Sequence, residues 1–267
     1  MHSGVKRPAQ TTGTPRNSTR GADARCASRR RSATMDSSFP HHILPTKASS
    51  MRPKHLPEDM HRGSGSKRQR AGWTPTRLRI VAGAMGGRKI DYNGDPETRP
   101  MKERTREAVF SLLGGYLYGT FALDLFSGTG ILGFEAISRG AERALLMELS
   151  RTTVSSILEN AAKLQILDRV DVLNVDTLRW LQGDRPRRLP MDQPWVVFCC
   201  PPYRLWHEQT DAMCTALETL FNMAPADSQF ICEADLQFDF RENLPALPWD
   251  VRKYAPAQVG VLRKPAQ

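Results

Sequence analysis

The sequence predicts an α/β fold, doubly wound, around a mostly parallel sheet. Three observations lead there. From about residue 121 onward, short apolar runs alternate with helical runs of 10 to 13 residues, the spacing that parallel βαβ crossovers require. A glycine loop, Ser127-Gly128-Thr129-Gly130-Ile131-Leu132-Gly133, joins the first of these strands to its helix. Charge is also segregated: residues 1–75 hold 15 Lys+Arg against 4 Asp+Glu, whereas residues 76–267 hold 23 against 24. The net charge of +10 over 267 residues is therefore a property of the tail, and the body is nearly neutral. That weighs against a basic globular nucleic-acid binder. The body alone is long enough for one complete domain with a large core.

Residues 1–75 read as a disordered basic tail. They are rich in Ser, Thr, Arg, Pro and Gly and lack sustained apolar periodicity, so burial cannot offset chain entropy. Arg29-Arg30-Arg31 and Lys67, Arg68 and Arg70 form basic runs. Three readings fit: an electrostatic arm for RNA phosphates, an organelle transit peptide, or an upstream extension with Met35, Met51 or Met60 as the true start.

Residues 76–267 read as one domain, with a hairpin and helix over 76–115 and a core over 116–267. Arg77 to Ala82 is a short strand, and Arg88 to Ile90 its return across the turn at Gly83 to Gly87. Pro100 to Leu113 is amphipathic, with Val109, Leu112 and Leu113 on its apolar side and Lys102, Arg104 and Arg106 projecting from the other. Gly114-Gly115 ends it. Strands follow at 121–126, 143–149, 170–175, 195–200 and 229–233. The intervening helices span 130–139, 152–164, a short stretch to about 181, and 208–221. A closing pair occupies 251–254 and 259–263.

Several classes drop out. No run of about 18 apolar residues exists and no signal-peptide h-region opens the chain. Five cysteines, Cys26, Cys199, Cys200, Cys214 and Cys232, without a spaced framework, suggest a reducing compartment. Five of the six histidines lie in the tail. Only His207 remains in the body, which leaves neither a zinc-type cluster nor a convincing His-based triad, and no metal is expected.

In an open α/β sheet, ligands bind beyond the carboxyl ends of the strands at the switch point. The glycine loop lies there, and Gly128, Gly130 and Gly133 satisfy G-x-G-x-x-G. That spacing alone admits both NAD and S-adenosylmethionine. Asp124, at the end of the first strand, helps decide: a buried carboxylate repels a pyrophosphate but suits an ammonium and a sulfonium. Glu148 ends the next strand where a ribose-binding acid belongs. Asp176 is placed to accept from an adenine amine, or to N-cap the helix that follows. Cys200-Pro201-Pro202-Tyr203 ends the fourth strand. Its prolines fix φ and leave carbonyls as acceptors, and Tyr203 offers a face for a base.

These stretches together resemble the bacterial 16S rRNA guanine-N2 methyltransferase family, one that modifies a single guanine of small-subunit rRNA. The resemblance rests on L-R-I-V-A-G-x-x-G-G-R-K at Leu78 to Lys89, R-P-M-K-E-R-T-R-E-A-V-F at Arg99 to Phe110, and D-L-F-S-G-T-G-I-L-G-F-E-A-I-S-R-G-A at Asp124 to Ala141. Glu148, Val175-Asp176 and Pro201-Pro202-Tyr203 continue it in order; the tail is not covered. It implies a seven-stranded Rossmann-like methyltransferase sheet, S-adenosylmethionine as cofactor, 16S rRNA or the small ribosomal subunit as partner, a monomer, and a cytoplasmic location. It assigns Arg99, Asp124, Phe126, Ser127, Gly128, Thr129, Gly130, Glu148 and Asp176 to the cofactor. Arg88, Lys89, Arg104 and Arg106 fall to RNA, and Cys200, Pro201, Pro202 and Tyr203 to catalysis.

In the family, the motif begins with Asp or Asn, whose side chain accepts from the target amine together with the first proline's carbonyl. Here it begins with Cys200, a weak acceptor. The site then works through Pro201 and Tyr203, or through another acceptor, or the protein binds rRNA without methylating it. A nucleophilic Cys200 is a fourth reading, disfavoured because no His or Lys adjoins it in sequence.

Overall fold

The computed structural model describes residues 76–92, 94, 98–183, 186, 189–244 and 247–266. The tail over 1–75 lies outside the described residues. Seven strands form the main sheet: β3 (Phe121–Asp124), β4 (Arg143–Glu148), β5 (Val170–Asn174), β6 (Trp195–Cys199), β7 (Gln229–Asp235), β8 (Asp250–Tyr254) and β9 (Ala257–Arg263). Their order is β5-β4-β3-β6-β7-β9-β8. Only β9 runs antiparallel to its neighbours, β7 and β8. This is the doubly wound, mostly parallel sheet that the strand–helix alternation predicts. The order reverses between β3 and β6, so a crevice opens there at their carboxyl ends.

Every residue of β3 and β6 is buried. That is why both read as continuous apolar runs and not as alternating ones. One face of the sheet is covered by α1 (Glu103–Leu112), α2 (Ile131–Ser138) and α3 (Arg151–Leu164), through Val109, Phe110, Phe134, Ile137 and Ile157. The other is covered by α4 (Thr177–Leu181), α5 (Arg204–Glu208) and α6 (Thr210–Met223), through Leu178, Leu181, Trp206, Met213 and Leu217. No helix among the described residues is long and apolar enough to cross a membrane.

The N-terminal hairpin forms its own sheet, β1 (Thr76–Arg79) with β2 (Lys89–Tyr92), in the register Leu78 to Ile90. The first strand stops short of the expected Ala82 for a local reason. The N–H groups of Val81 and Ala82 turn to the Glu135 carboxylate on α2, at 2.8 and 3.1 Å. Gly83 follows with φ +82, and a Cβ there would stand 1.9 Å from the Ser138 carbonyl oxygen. Only glycine allows the turn to pack this closely on α2.

One expectation is overturned in α1. Arg106 does not project with Lys102 and Arg104; it is 1% exposed. Position 106 lies three and four residues before Val109 and Phe110, and so shares their inward face. Its guanidinium donates to the carbonyls of Met101 and Arg79 and lies 3.5 Å from Glu135. Glu135 also pairs with Arg139 at 3.0 Å. Glu103, at the start of the same helix, pairs with Arg79.

The helix boundaries shift for identifiable reasons. α1 begins at Glu103 because residues up to Lys102 remain extended, with Lys102 at ψ 142. Two short helices escape the periodicity reading: α5, directly after Pro-Pro-Tyr, and α7 (Phe240–Asn243), capped by Asp239 accepting from the Arg241 and Glu242 N–H groups. Helices of 5 and 4 residues are too short to show a 3.6-residue repeat.

Candidate active site

A cleft of about 790 Å³ opens at the carboxyl edge of β3, β4, β6 and β7. Its floor is the glycine loop. Gly128 and Gly130 adopt φ +51 and +76, a region open to glycine at no steric cost. Over the loop runs the segment Thr98 to Lys102, which also lines the cleft. A Cβ on Gly128 would meet the Thr98 methyl at 2.9 Å. Gly133, one turn into α2, is small for another reason: a Cβ would press on Leu146 of β4 at 2.8 Å.

Glu148, at the end of β4, ties the loop to its neighbour. Its carboxylate accepts from the Gly128 N–H at 3.0 Å and from the Ser150 N–H at 2.8 Å. A carboxylate has about four acceptor positions, and Glu148 lines the cleft. Asp176 lines the cleft and is exposed. It caps α4, accepting from the Arg179 N–H at 3.1 Å, so the capping role is real, and the second oxygen is left for a ligand donor.

Asp124 stands apart. It is 0% exposed and lies beneath the loop, not on the cleft surface. Neither carboxyl oxygen makes a hydrogen bond of normal geometry among the described residues, although the Gly133 and Phe126 N–H groups face it. Burial therefore pushes its pKa up to about 7, and the nearby Glu148 charge adds to the effect. Gly130 is likewise below the surface, whereas Phe126, Ser127, Gly128 and Thr129 line the cleft.

The opposite wall is built by β6 and β7. Cys200, Pro201, Pro202 and Tyr203 all line it. The Pro202 carbonyl accepts from the Leu205 N–H at 2.9 Å, starting α5. That leaves the Pro201 carbonyl as the one of the pair that the helix does not use. Burial raises the Cys200 thiol pKa well above its ordinary value, and Glu233 and Asp124 push it the same way. The sulfur is thus held as a thiol, which argues against the nucleophile reading beyond the lack of sequence neighbours.

Sequence reasoning missed Glu233. In the parallel register of β6 and β7, Cys199 lies opposite Cys232, which puts Glu233 beside Cys200. The Tyr203 hydroxyl donates to Glu233 Oε1 at 3.3 Å. Burial raises the Glu233 pKa, opposed by the Tyr203 hydrogen bond and by the Arg99 charge. The available signal was an acid closing an otherwise apolar strand, the same one that marked Glu148.

The four expected RNA-contacting residues separate. Arg106 is withdrawn, since its buried guanidinium is spent inside the fold. Arg88 donates to the carbonyls of Leu164 and Lys163, at 3.0 and 2.6 Å, and so caps the end of α3. Lys89 and Arg104 are exposed. None of the four lines the cleft. Arg99 does, with its charge acting on Tyr203 and Glu233.

Comparison with known proteins gives consistent matches. The family model described as conserved hypothetical protein 95 matches residues 78–252. Ribosomal RNA small subunit methyltransferase D of Buchnera aphidicola is 35% identical over 128 residues, covering 48% of this chain and 64% of the relative. The match therefore spans less than two thirds of that relative's length. The protein of the same name from Haemophilus influenzae is 31% identical, covering 58% of this chain and 71% of its own. Among solved structures, a Thermus thermophilus 16S rRNA N2 G1207 methyltransferase, in complex with AdoMet and guanosine, superposes with TM-score 0.55. It is 16% identical and covers 72% of this chain and 50% of its own. A conserved hypothetical protein of Streptococcus pyogenes gives 0.50 at 26% identity, covering 60% and 94%.

Proposed function

The chain belongs to the family described as conserved hypothetical protein 95, and from that premise we propose an S-adenosylmethionine-dependent methyltransferase acting on the exocyclic N2 of a guanine in small-subunit rRNA. One observation supports this most: a glycine loop, a strand-ending acid and a Pro-Pro-Tyr corner share one cleft at the switch point. The relatives named above are rRNA methyltransferases by name, and the sequence resemblance specifies guanine N2.

The residues suit this cofactor. Asp124 is a buried acid whose oxygens make no hydrogen bond of normal geometry among the described residues; it favours a cationic ligand end above it and disfavours a pyrophosphate. When bound, the cofactor supplies a methyl group on sulfonium. The glycine loop, from Phe126 through Ser127, Gly128 and Thr129 to Gly130, shapes its seat, and Glu148 accepts from ribose hydroxyls. Asp176 accepts from the adenine amine, and Arg99 is the candidate for the methionine carboxylate. Tyr203 stacks on the target base, and the Pro201 carbonyl orients its amine. Catalysis is then mainly positioning, with the base first drawn from its stack.

Following the resemblance, the unit proposed is a monomer working without metal in the cytoplasm, where 16S rRNA is assembled into subunits. The basic residues of 1–75 are proposed as an electrostatic arm attached to the domain of residues 76–267, alongside the exposed Lys89 and Arg104. Equilibrium binding tests the cofactor assignment against the dinucleotide alternative: S-adenosylhomocysteine should bind at about micromolar level or better, and NAD should not. Binding of NAD alone would end the reading.

A further inference from the structure

The corner that should orient the target amine begins with a thiol, and the adjacent strand supplies a carboxylate beside it. We infer that Glu233 is the acceptor that compensates for Cys200: its carboxylate takes the guanine N2–H and N1–H and holds the amine for methylation. This rests on the function proposed above.

Three observations carry it. The β6–β7 register, with Cys199 opposite Cys232, sets Cys200 and Glu233 side by side, about 5 Å apart as parallel strands require. Both line the cleft together with Pro201 and Tyr203. The Tyr203 hydroxyl occupies Oε1, and among the described residues no donor reaches Oε2. The same bond fixes the carboxylate against the ring proposed to stack on the base. Guanine presents two adjacent N–H groups on its Watson–Crick edge, a fork that matches one carboxylate. Adenine has no N–H at ring position 1, so the contact also selects the base.

The proton balance fits. The amine nitrogen takes the methyl from a sulfonium donor, the carbon–sulfur bond pair leaving with sulfur as a thioether. The N2–H proton passes to Glu233. The groups facing Glu233 are Tyr203, Cys200 and Arg99; burial raises its pKa above the ordinary carboxylate value, which makes it a better proton acceptor. Activity should therefore be present above that pKa and fall as pH drops through it.

The test compares Glu233→Gln with Tyr203→Phe in the full-length protein. Tyr203→Phe removes the hydroxyl but keeps the ring. First, guanosine monophosphate and inosine monophosphate, which lacks the N2 amine, are titrated with S-adenosylhomocysteine present. The wild type should prefer guanosine monophosphate by about tenfold, the worth of one hydrogen bond to a charged group. Glu233→Gln should abolish that preference while S-adenosylhomocysteine affinity stays unchanged; Tyr203→Phe, which frees the carboxylate from its hydrogen bond but keeps the acceptor, should reduce it only in part. Second, kcat for methyl transfer should fall about 100-fold or more in Glu233→Gln and its acidic pH limb should vanish, with Cys200→Asp partly restoring the rate. Retained preference in Glu233→Gln, or equal loss in Tyr203→Phe, overturns the inference. Wild-type preference without methyl transfer to any rRNA would overturn the enzyme reading and leave the binding role of Glu233 supported.

Discussion

Replacing Arg106 by Met should damage the fold and leave RNA binding alone. The side chain is 1% exposed. Removing it strands the Met101 and Arg79 carbonyls, at about 1–3 kcal/mol for a buried acceptor that loses its partner. It also relieves the desolvation of a buried cation, so a net loss of about 1–3 kcal/mol is expected. Glu135 survives this change, since Arg139 at 3.0 Å and the Val81 and Ala82 N–H groups still satisfy it. Glu135→Leu should be worse, about 3–5 kcal/mol, because two buried guanidiniums lose their counter-charge at once. The double variant should cost less than the sum, with a coupling of about 1–2 kcal/mol. Urea unfolding with linear extrapolation measures all three. RNA binding over a salt series completes the assay: Arg106→Met should leave the salt slope unchanged, whereas loss of a phosphate contact would lower it by about 1. A reduced slope with stability unchanged would refute the structural role and restore the RNA-contact reading.

The remaining expectations are shorter. Gly128→Ala introduces a Cβ 2.9 Å from Thr98 at φ +51 and should weaken S-adenosylhomocysteine affinity severalfold with a stability loss of about 1 kcal/mol, read by calorimetry and unfolding; unchanged affinity would show that the loop is not the cofactor seat. Cys200, its thiol pKa raised by burial, should resist iodoacetamide at pH 8 when mapped by peptide analysis, and fast labelling would revive the nucleophile reading. The Asp124 pKa is raised to about 7, so the folded state binds the proton more tightly than the unfolded. Stability should then fall as pH rises from about 4 to 7 and level off above. Asp124→Asn should remove that fall in urea midpoints, and an unchanged profile would contradict the burial argument.

The architecture was legible wherever periodicity had room to show itself. β3, β4, β5 and β6, and the helices α2 and α3, lie within two residues of the expected positions because long runs carry a clear repeat and a nearby glycine or cap ends them. Asp124, Glu148, Asp176 and the Pro-Pro-Tyr corner were readable because each sits at the end of a strand, where the fold class already places ligands. Three features were not. Arg106 shares the polar lettering of Lys102 and Arg104, and only the buried Glu135, 29 positions away in sequence, explains why a cation turns inward. Arg88 caps α3 through backbone carbonyls, which no side-chain pattern records. Glu233 becomes part of the site only through the β6–β7 register, a long-range pairing that periodicity does not contain.

The most direct measurement is transfer of a tritiated methyl group from S-adenosylmethionine to 16S rRNA and to assembled small subunits lacking the modification, followed by nucleoside analysis. The account predicts label in N2-methylguanosine and in no other nucleoside. No transfer to either substrate, from protein that binds S-adenosylhomocysteine, would contradict it, and so would label in another base.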